Sequence, residues 1–337
     1  MKKFFFLSVL LTVLSVSGQN VPNDSFVYIP ANPRFTFSRS LDSSRRQGGE
    51  KSPITQPYCL AKYPVTNAEY QAFTDTTGHP APKYWKNGKY PAGKENHPVL
   101  YVSVDDARAY CEWLHKKHPH WIFRLPTEAE WENAASGPQK TEFPWGNQSG
   151  TAFQNGILKS NYNFNAVAAA HYLKNFPDLK VTYYHQKSSQ HGKKLRISEL
   201  LSLTGNGKIH GWIDHANRTG FVYTDLFRKL AAEGGCTTPV DQSPDGRSHY
   251  GCFDMAGNSW DWTSSTITAV NGAERGKKTN AIRGGSWYAN ANSCKAIFRG
   301  EGRHPRGTYN TVGFRLAAEP ARRTGTTASA SPPAAEK

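Results

Sequence analysis

Sulfur is scarce in this sequence, and acid is outnumbered by base. Two methionines and five cysteines stand among 337 residues. The cysteines (Cys59, Cys111, Cys236, Cys252 and Cys294) form no C-x-x-C pair, which argues against a structural zinc site. Their number is odd, so at least one thiol stays unpaired within the chain even in an oxidising compartment. Against 41 lysines and arginines there are 26 aspartates and glutamates, a net charge of +15. Such a surplus favours anionic partners: polysaccharide, sulfated glycan, lipid head group or nucleic acid. It is also what a solvated basic surface looks like. No nucleic-acid-binding motif is present, so nucleic acid is not expected as a partner. Beyond Leu14 no apolar run is long enough to cross a bilayer. No internal repeat is found. Nine Trp, 16 Tyr and 17 Phe exclude a disordered chain, while 29 Gly and 21 Pro speak against a helical bundle or coiled coil.

The first 18 residues read as a secretory signal peptide. Lys2 and Lys3 precede an apolar stretch from Phe4 to about Leu14, and Val16-Ser17-Gly18 offers small residues for cleavage. The expected location is therefore secreted or periplasmic, without a membrane-spanning segment. Residues 19–318 read as a single domain carrying an insertion at about 166–233, and residues 319–337 as a disordered tail rich in Ala, Ser, Thr, Pro and Gly.

Three capping boxes mark helix starts: Thr66 with Glu69, Ser103 with Asp106, and Thr127 with Glu130. In the second helix Ala107, Tyr110, Cys111 and Leu114 form the apolar stripe. Ser25–Pro30 is strand-like, and Asp225–Ala232 predicts a helix within the insertion.

Seven ordered blocks then carry a resemblance. They are Lys62-Tyr-Pro-Val-Thr-Asn-Ala-Glu-Tyr70; His97-Pro-Val-Leu-Tyr-Val-Ser103 with Asp106-Ala-Arg-Ala-Tyr-Cys-Glu-Trp113; Arg124-Leu-Pro-Thr-Glu-Ala-Glu-Trp-Glu132; Phe143-Pro-Trp-Gly-Asn147; Asp254-Met-Ala-Gly-Asn-Ser-Trp-Asp-Trp262; Arg283-Gly-Gly-Ser-Trp287; and Val312-Gly-Phe-Arg315. In order and content they resemble the formylglycine-generating enzyme, or sulfatase-modifying factor, family over about residues 25–165 and 236–318. The resemblance implies an irregular α+β fold related to the C-type lectin core, with little regular secondary structure.

It implies an activity less directly, because a fold does not fix a function. Active members oxidise a sulfatase cysteine to formylglycine with copper and dioxygen, holding Cu(I) between two thiolates. The matching positions here are Ala289 and Cys294, so one thiolate is kept and one is replaced by a methyl group. Cys294, Ser286 and Trp260 are the candidate catalytic residues under this resemblance. Cys294 also reads as a small buried hydrophobe. The disulfide positions of some members fall on Leu316, Ala135 and Arg299, which leaves Cys111 as a buried free thiol. A Cys236–Cys252 disulfide is an open alternative to two free thiols, and Cys59 is expected to be buried rather than functional.

The resemblance further implies calcium at Asp254, Gly257, Ser259 and Asp261, with carbonyl oxygens from Gly257 and Ser259 and a carboxylate from Asp261. A second calcium position would begin at Asn161 and Tyr162. The twelve His residues, including His210, His215, His115, His118 and His120, read as scattered surface or hydrogen-bonded side chains rather than an iron site.

Residues 284–310 combine aromatic, Arg and Asn side chains, as recognition surfaces do. Trp287, Tyr288, Arg303 and Arg306 are the expected ligand contacts, with His304 beside them. Arg315 is expected to be structural, paired with a buried carboxylate such as Glu130 or Glu132. The functional expectation is a non-catalytic or degenerate member, a ligand-binding or envelope scaffold module for an anionic glycan or envelope protein. The alternative is an active copper oxidase acting on an exported sulfatase. A different metal-dependent oxidation using the insertion's His residues has the least support.

Overall fold

A computed structural model describes residues 24–37, 49–147, 232–270, 272–289 and 292–321, together with the backbone of five short strands between 153 and 222. All three capping boxes form. Thr66, Ser103 and Thr127 each accept a hydrogen bond from the backbone N–H three residues on, while Glu69, Asp106 and Glu130 return the bond to the cap. Replacing such a cap by alanine typically costs about 1 kcal/mol. The helices they open are α1 (Asn67–Thr77), α2 (Val104–Lys117) and α3 (Glu128–Ser136). Helix α1 closes on Gly78 in the left-handed conformation. On α2 Ala107, Tyr110 and Cys111 are buried and Leu114 is half-buried, as the stripe predicts.

Two mixed-length sheets carry the domain. The first has the order β1 (Phe26–Ile29), β2 (Tyr58–Ala61), β13 (Ala317–Pro320), β3 (Trp121–Arg124), all antiparallel. The second runs β11 (Gly302–Arg303), β10 (Lys278–Arg283), β9 (Trp260–Thr268), β12 (Val312–Gly313), with β12 parallel to β9 and a register shift in β10 between Asn280 and Ile282. Between them in sequence lie β4 (Phe153–Gln154) paired with β5 (Ile157–Leu158), and a sheet of β6 (Lys180–His185), β7 (Lys193–Arg196) and β8 (Phe221–Val222). The fold is α+β with three helices of 9 to 14 residues among the described residues, and the rest is short strands and loops.

Strand β13 corrects the sequence boundary of the tail. Glu319 and Pro320 pair with Ile122 and Trp121, and Ala321 N–H donates to His120 O at 2.8 Å. Ala317 and Ala318 are fully buried between β2 and β3. Small side chains fill a narrow place in the sheet, a use that composition reads as low complexity. The signal peptide, the Asp225–Ala232 helix apart from its last residue, most of the insertion and residues 322–337 lie outside the described residues.

Two apolar clusters form the core. One gathers Tyr70, Phe73, Tyr110, Trp262, Trp287 and Phe314 between α1, α2 and the second sheet. The other sets Trp131 of α3 among Ile29, Tyr58, Leu60 and Met255. Helix α3 packs against β9 and β10, so the elements on either side of it deliver their ends to one region. Among the described residues no helix is long and apolar enough to cross a membrane.

Candidate functional site

The loop leaving β10 carries Gly284, Gly285, Ser286, Trp287, Tyr288 and Ala289. Backbone bonds tie it to the loop before β9: Gly257 N–H donates to Gly284 O at 2.7 Å, and Trp287 N–H to Asn258 O at 3.0 Å. Ala289 N–H donates to Ser286 O at 2.9 Å, closing a turn. Cys294 returns under this turn. It is fully buried and packs with Ala256, Ala289 and Trp145. Gly285, at φ +77°, lies so close to the Cys294 Sγ that any Cβ there would collide with it. The two positions that the family resemblance assigns to thiolates are thus neighbours, and one of them is a methyl group. Burial pushes the Cys294 thiol far above its ordinary range, so it is a neutral S–H at physiological pH. A neutral buried thiol is inert, and one sulfur beside a methyl does not make a two-coordinate Cu(I) site. Trp145 was absent from the sequence-derived site; its place in the Pro-Trp-Gly block was the available signal.

The remaining expected contacts divide. Tyr288 is 41% exposed, and Arg306 and His304 are at the surface as expected. Trp287 is not: its indole is fully buried, and Nε1 donates to Asn310 O at 3.1 Å. Arg303 also departs from expectation. It lies in β11, bonds Glu301 Oε1 at 2.5 Å and sits over the Tyr309 ring. The acid two residues earlier neutralises it. Ser286 and Trp260 are both buried, and Ser286 Oγ accepts from Tyr288 N–H at 3.3 Å.

The Asp254–Asp261 loop is held from below by Arg315. This guanidinium is fully buried, as expected of a structural arginine, but its partner is Asp261 rather than Glu130 or Glu132. Arg315 Nε donates to Asp261 Oδ2 at 2.5 Å, and Trp131 Nε1 donates to the same oxygen at 2.8 Å. Glu130 instead takes Arg124 in two bonds of 2.6 and 2.7 Å, and Glu132 takes Arg283 at 2.6 Å. Sequence blocks cannot tell which buried carboxylate meets which arginine. Asp261 Oδ1 and Ser259 Oγ are buried without a hydrogen-bond partner. Asp254, at φ +53°, accepts from Asn258 Nδ2 at 2.8 Å, and burial raises its carboxyl to about 7. Orphaned oxygens beside a carboxylate that burial biases toward protonation suit a hard cation. Asn161 and Tyr162 lie outside the described residues, as do His210 and His215.

All five cysteines are free. Cys236 and Cys252 are buried free thiols rather than a disulfide, and they pack in different apolar clusters. Cys111 is a buried free thiol as expected, and Cys59 is half-buried. Cys236 lies beside an unanticipated polar cluster. Lys94 Nζ is within 3.3–3.4 Å of His97 Nδ1, Gly235 O, Thr237 O and Thr237 Oγ1. Burial and the lysine charge depress His97 to about 3, so the imidazole stays neutral. A cavity of about 540 Å³ lies elsewhere, at the start of α3 between Arg124, Glu130, Arg299 and Glu50. Of the described residues in 284–310, Arg299 alone lines it.

Family comparison decides the ancestry of this arrangement. Residues 14–196 and 203–320 match the sulfatase-modifying factor enzyme 1-like domain. The chain belongs to this sulfatase-modifying factor family. It is 26% identical to a formylglycine-generating enzyme of Bos taurus over 90% of this chain and 76% of that protein. It is 25% identical to the inactive Cα-formylglycine-generating enzyme 2 of the same organism over 92% of this chain and 95% of that protein. The fold is similar to that of PvdO from Pseudomonas aeruginosa, with a TM-score of 0.53 and 20% identity over 87% of this chain and 94% of that chain. The family therefore includes both active and inactive members at about the same distance from this chain.

Proposed function

We propose that this sulfatase-modifying factor family protein is a non-catalytic member, an exported ligand-binding or envelope scaffold module. The observation that carries the reading is the corner where Ala289 packs against Cys294. The donor set is one buried neutral thiol. Oxidation by the two-thiolate route has no second sulfur to use. The basic charge, +15 over the full sequence and about +13 without Lys2 and Lys3 of the signal, supports an anionic partner, a glycan or an envelope protein. Calcium is proposed as a structural ion at the Asp254–Asp261 loop. The Asp254 carboxylate, the free Asp261 Oδ1 and the carbonyls of Gly257 and Ser259 would hold it, and its charge would offset the buried carboxylates.

The test is a peptide with a Cys-x-Pro-x-Arg motif, incubated with the purified protein, Cu(I) and dioxygen and read by mass spectrometry. No formylglycine is expected from the parent protein. The Ala289→Cys variant is run beside it: product from the variant alone would identify a degenerate enzyme. Product from the parent above the no-enzyme control would overturn the reading and make the protein an exported-sulfatase oxidase.

A further inference from the structure

Tyr101 holds a left-handed backbone, φ +58°, which bulky L-residues rarely adopt. The segment around it is pinned on both sides. Tyr101 N–H donates to Tyr309 O at 3.0 Å, Val104 N–H donates to Pro305 O at 2.9 Å, and Val102 O accepts from Trp262 Nε1 at 2.9 Å. The fold thus presents a tyrosine where Gly or Asn would be easier. Backbone outliers of this kind concentrate at ligand sites.

The surroundings complete a platform. The Tyr101 ring, half-buried, leans on Tyr84 with centroids 5.4 Å apart, and Lys83 Nζ stands 4.6 Å from its centroid. Gly234 backs onto Tyr84 and Gly235 onto Trp287, each so closely that a Cβ would collide. Trp287 meets Tyr288 at 5.8 Å and bonds Asn310, next to Tyr309. Tyr309 closes the circuit back to Tyr101. Tyr101, Tyr288 and Tyr309, each half-buried or exposed, lie along this chain of contacts, with the exposed Lys83 on Tyr101 and Arg303 on Tyr309.

We propose that Tyr101 is the seat of an acidic carbohydrate. The Lys83 ammonium, which covers the Tyr101 ring at 4.6 Å, moves off it to take the sugar's carboxylate or sulfate, and the sugar stacks its C–H face on the ring so uncovered. An aromatic face beside a cation matches both properties of such a ligand, and the net charge of +15 draws it in. The assignment deepens the binding-module reading and rests on it.

Titration calorimetry with tetragalacturonate and a chondroitin sulfate tetrasaccharide, against neutral maltotetraose, tests it. Tetragalacturonate carries carboxylates alone and the chondroitin sulfate tetrasaccharide carries carboxylates and sulfates, so binding of the second without the first points to the sulfate. The full chain is expected to bind at least one acidic probe, more weakly as salt rises, and to bind maltotetraose at least tenfold less tightly. Tyr101→Gly is expected to lose tenfold or more in affinity while remaining folded, because glycine relieves the left-handed backbone and offsets part of the lost packing on Tyr84. Tyr101→Phe keeps affinity within about threefold, and Lys83→Ala erases the preference for the acidic probe. Unchanged affinity in Tyr101→Gly, or no acidic probe bound by the parent, overturns the proposal. If the parent is also inactive on the sulfatase peptide, the carbohydrate assignment fails alone. If the parent forms formylglycine, the underlying reading fails instead.

Discussion

Two clusters of buried reactive side chains touch the same pair of loops and differ in kind. At one, Arg315, Asp261, Trp131 and Asp254 converge, and charge is met by opposite charge or by a directed N–H. At the other, Cys294 sits among Ala256, Ala289 and Trp145, with apolar contact as its main support. The loops are joined by the Gly257–Gly284 and Asn258–Trp287 backbone bonds. A side chain in the ionic cluster cannot change alone, because its partner would be left buried and charged. A side chain in the thiol corner answers to volume. A change at the corner can therefore leave the frame around it intact.

The sharpest way to break the contrast is Arg315→Leu. It strands Asp261 in an apolar interior, and removing one partner of a buried ion pair costs about 3–5 kcal/mol. Urea denaturation should show that loss, a large part of the about 5–15 kcal/mol that holds a domain together. Adding Asp261→Leu should recover some of it; an unstable double variant would mean that the pair is needed for more than mutual neutralisation.

Calcium should act next in size. An ion that binds only the folded chain adds about 2.7 kcal/mol at a hundredfold excess over its Kd. The sign with pH follows from Asp254, whose folded carboxyl is raised to about 7 from 3.8. Without metal, its contribution to stability is complete below 3.8 and is lost as pH rises through about 7. Calcium competes with that proton, so its increment in Tm should grow from pH 5 to pH 8. A Tm indifferent to calcium and chelator at pH 8 would remove the ion from the loop.

The smallest effect is expected at the thiol. Cys294→Ser buries a hydroxyl where sulfur was, at a cost of about 1–2 kcal/mol. Cys294→Ala should cost no more than the serine variant. Equal stability of the parent and Cys294→Ser would show the corner to be polar enough to support thiolate chemistry, and would blur the comparison.

How much of this was legible in the sequence depends on range. Capping boxes are local, so Thr66, Ser103 and Thr127 announced their helices, and the block order carried the fold. The Ala289–Cys294 pairing was legible because both ends lie in one loop. Partner choice was not: Arg315 meets Asp261 across 54 positions, and nothing in either block excludes Glu130 or Glu132. Exposure within a turn was not legible either, since Trp287 and Tyr288 look alike to composition, yet one is fully buried and the other 41% exposed. The left-handed backbone at Tyr101 leaves no mark when the residue is neither Gly nor Asn.

Strand β13 has a consequence in time. Ala317 pairs with Leu60 on one side and Arg124 on the other, so the first sheet stays split until a strand made more than 190 residues after β3 slides between its halves. Contacts of such sequence separation form slowly. During synthesis β2 and β3 each present an open edge, the kind of surface that recruits stray strands. A chain built this way benefits from being kept unfolded until it is whole, and a ribosome-stalled product ending before Ala317 should be degraded or aggregate rather than wait.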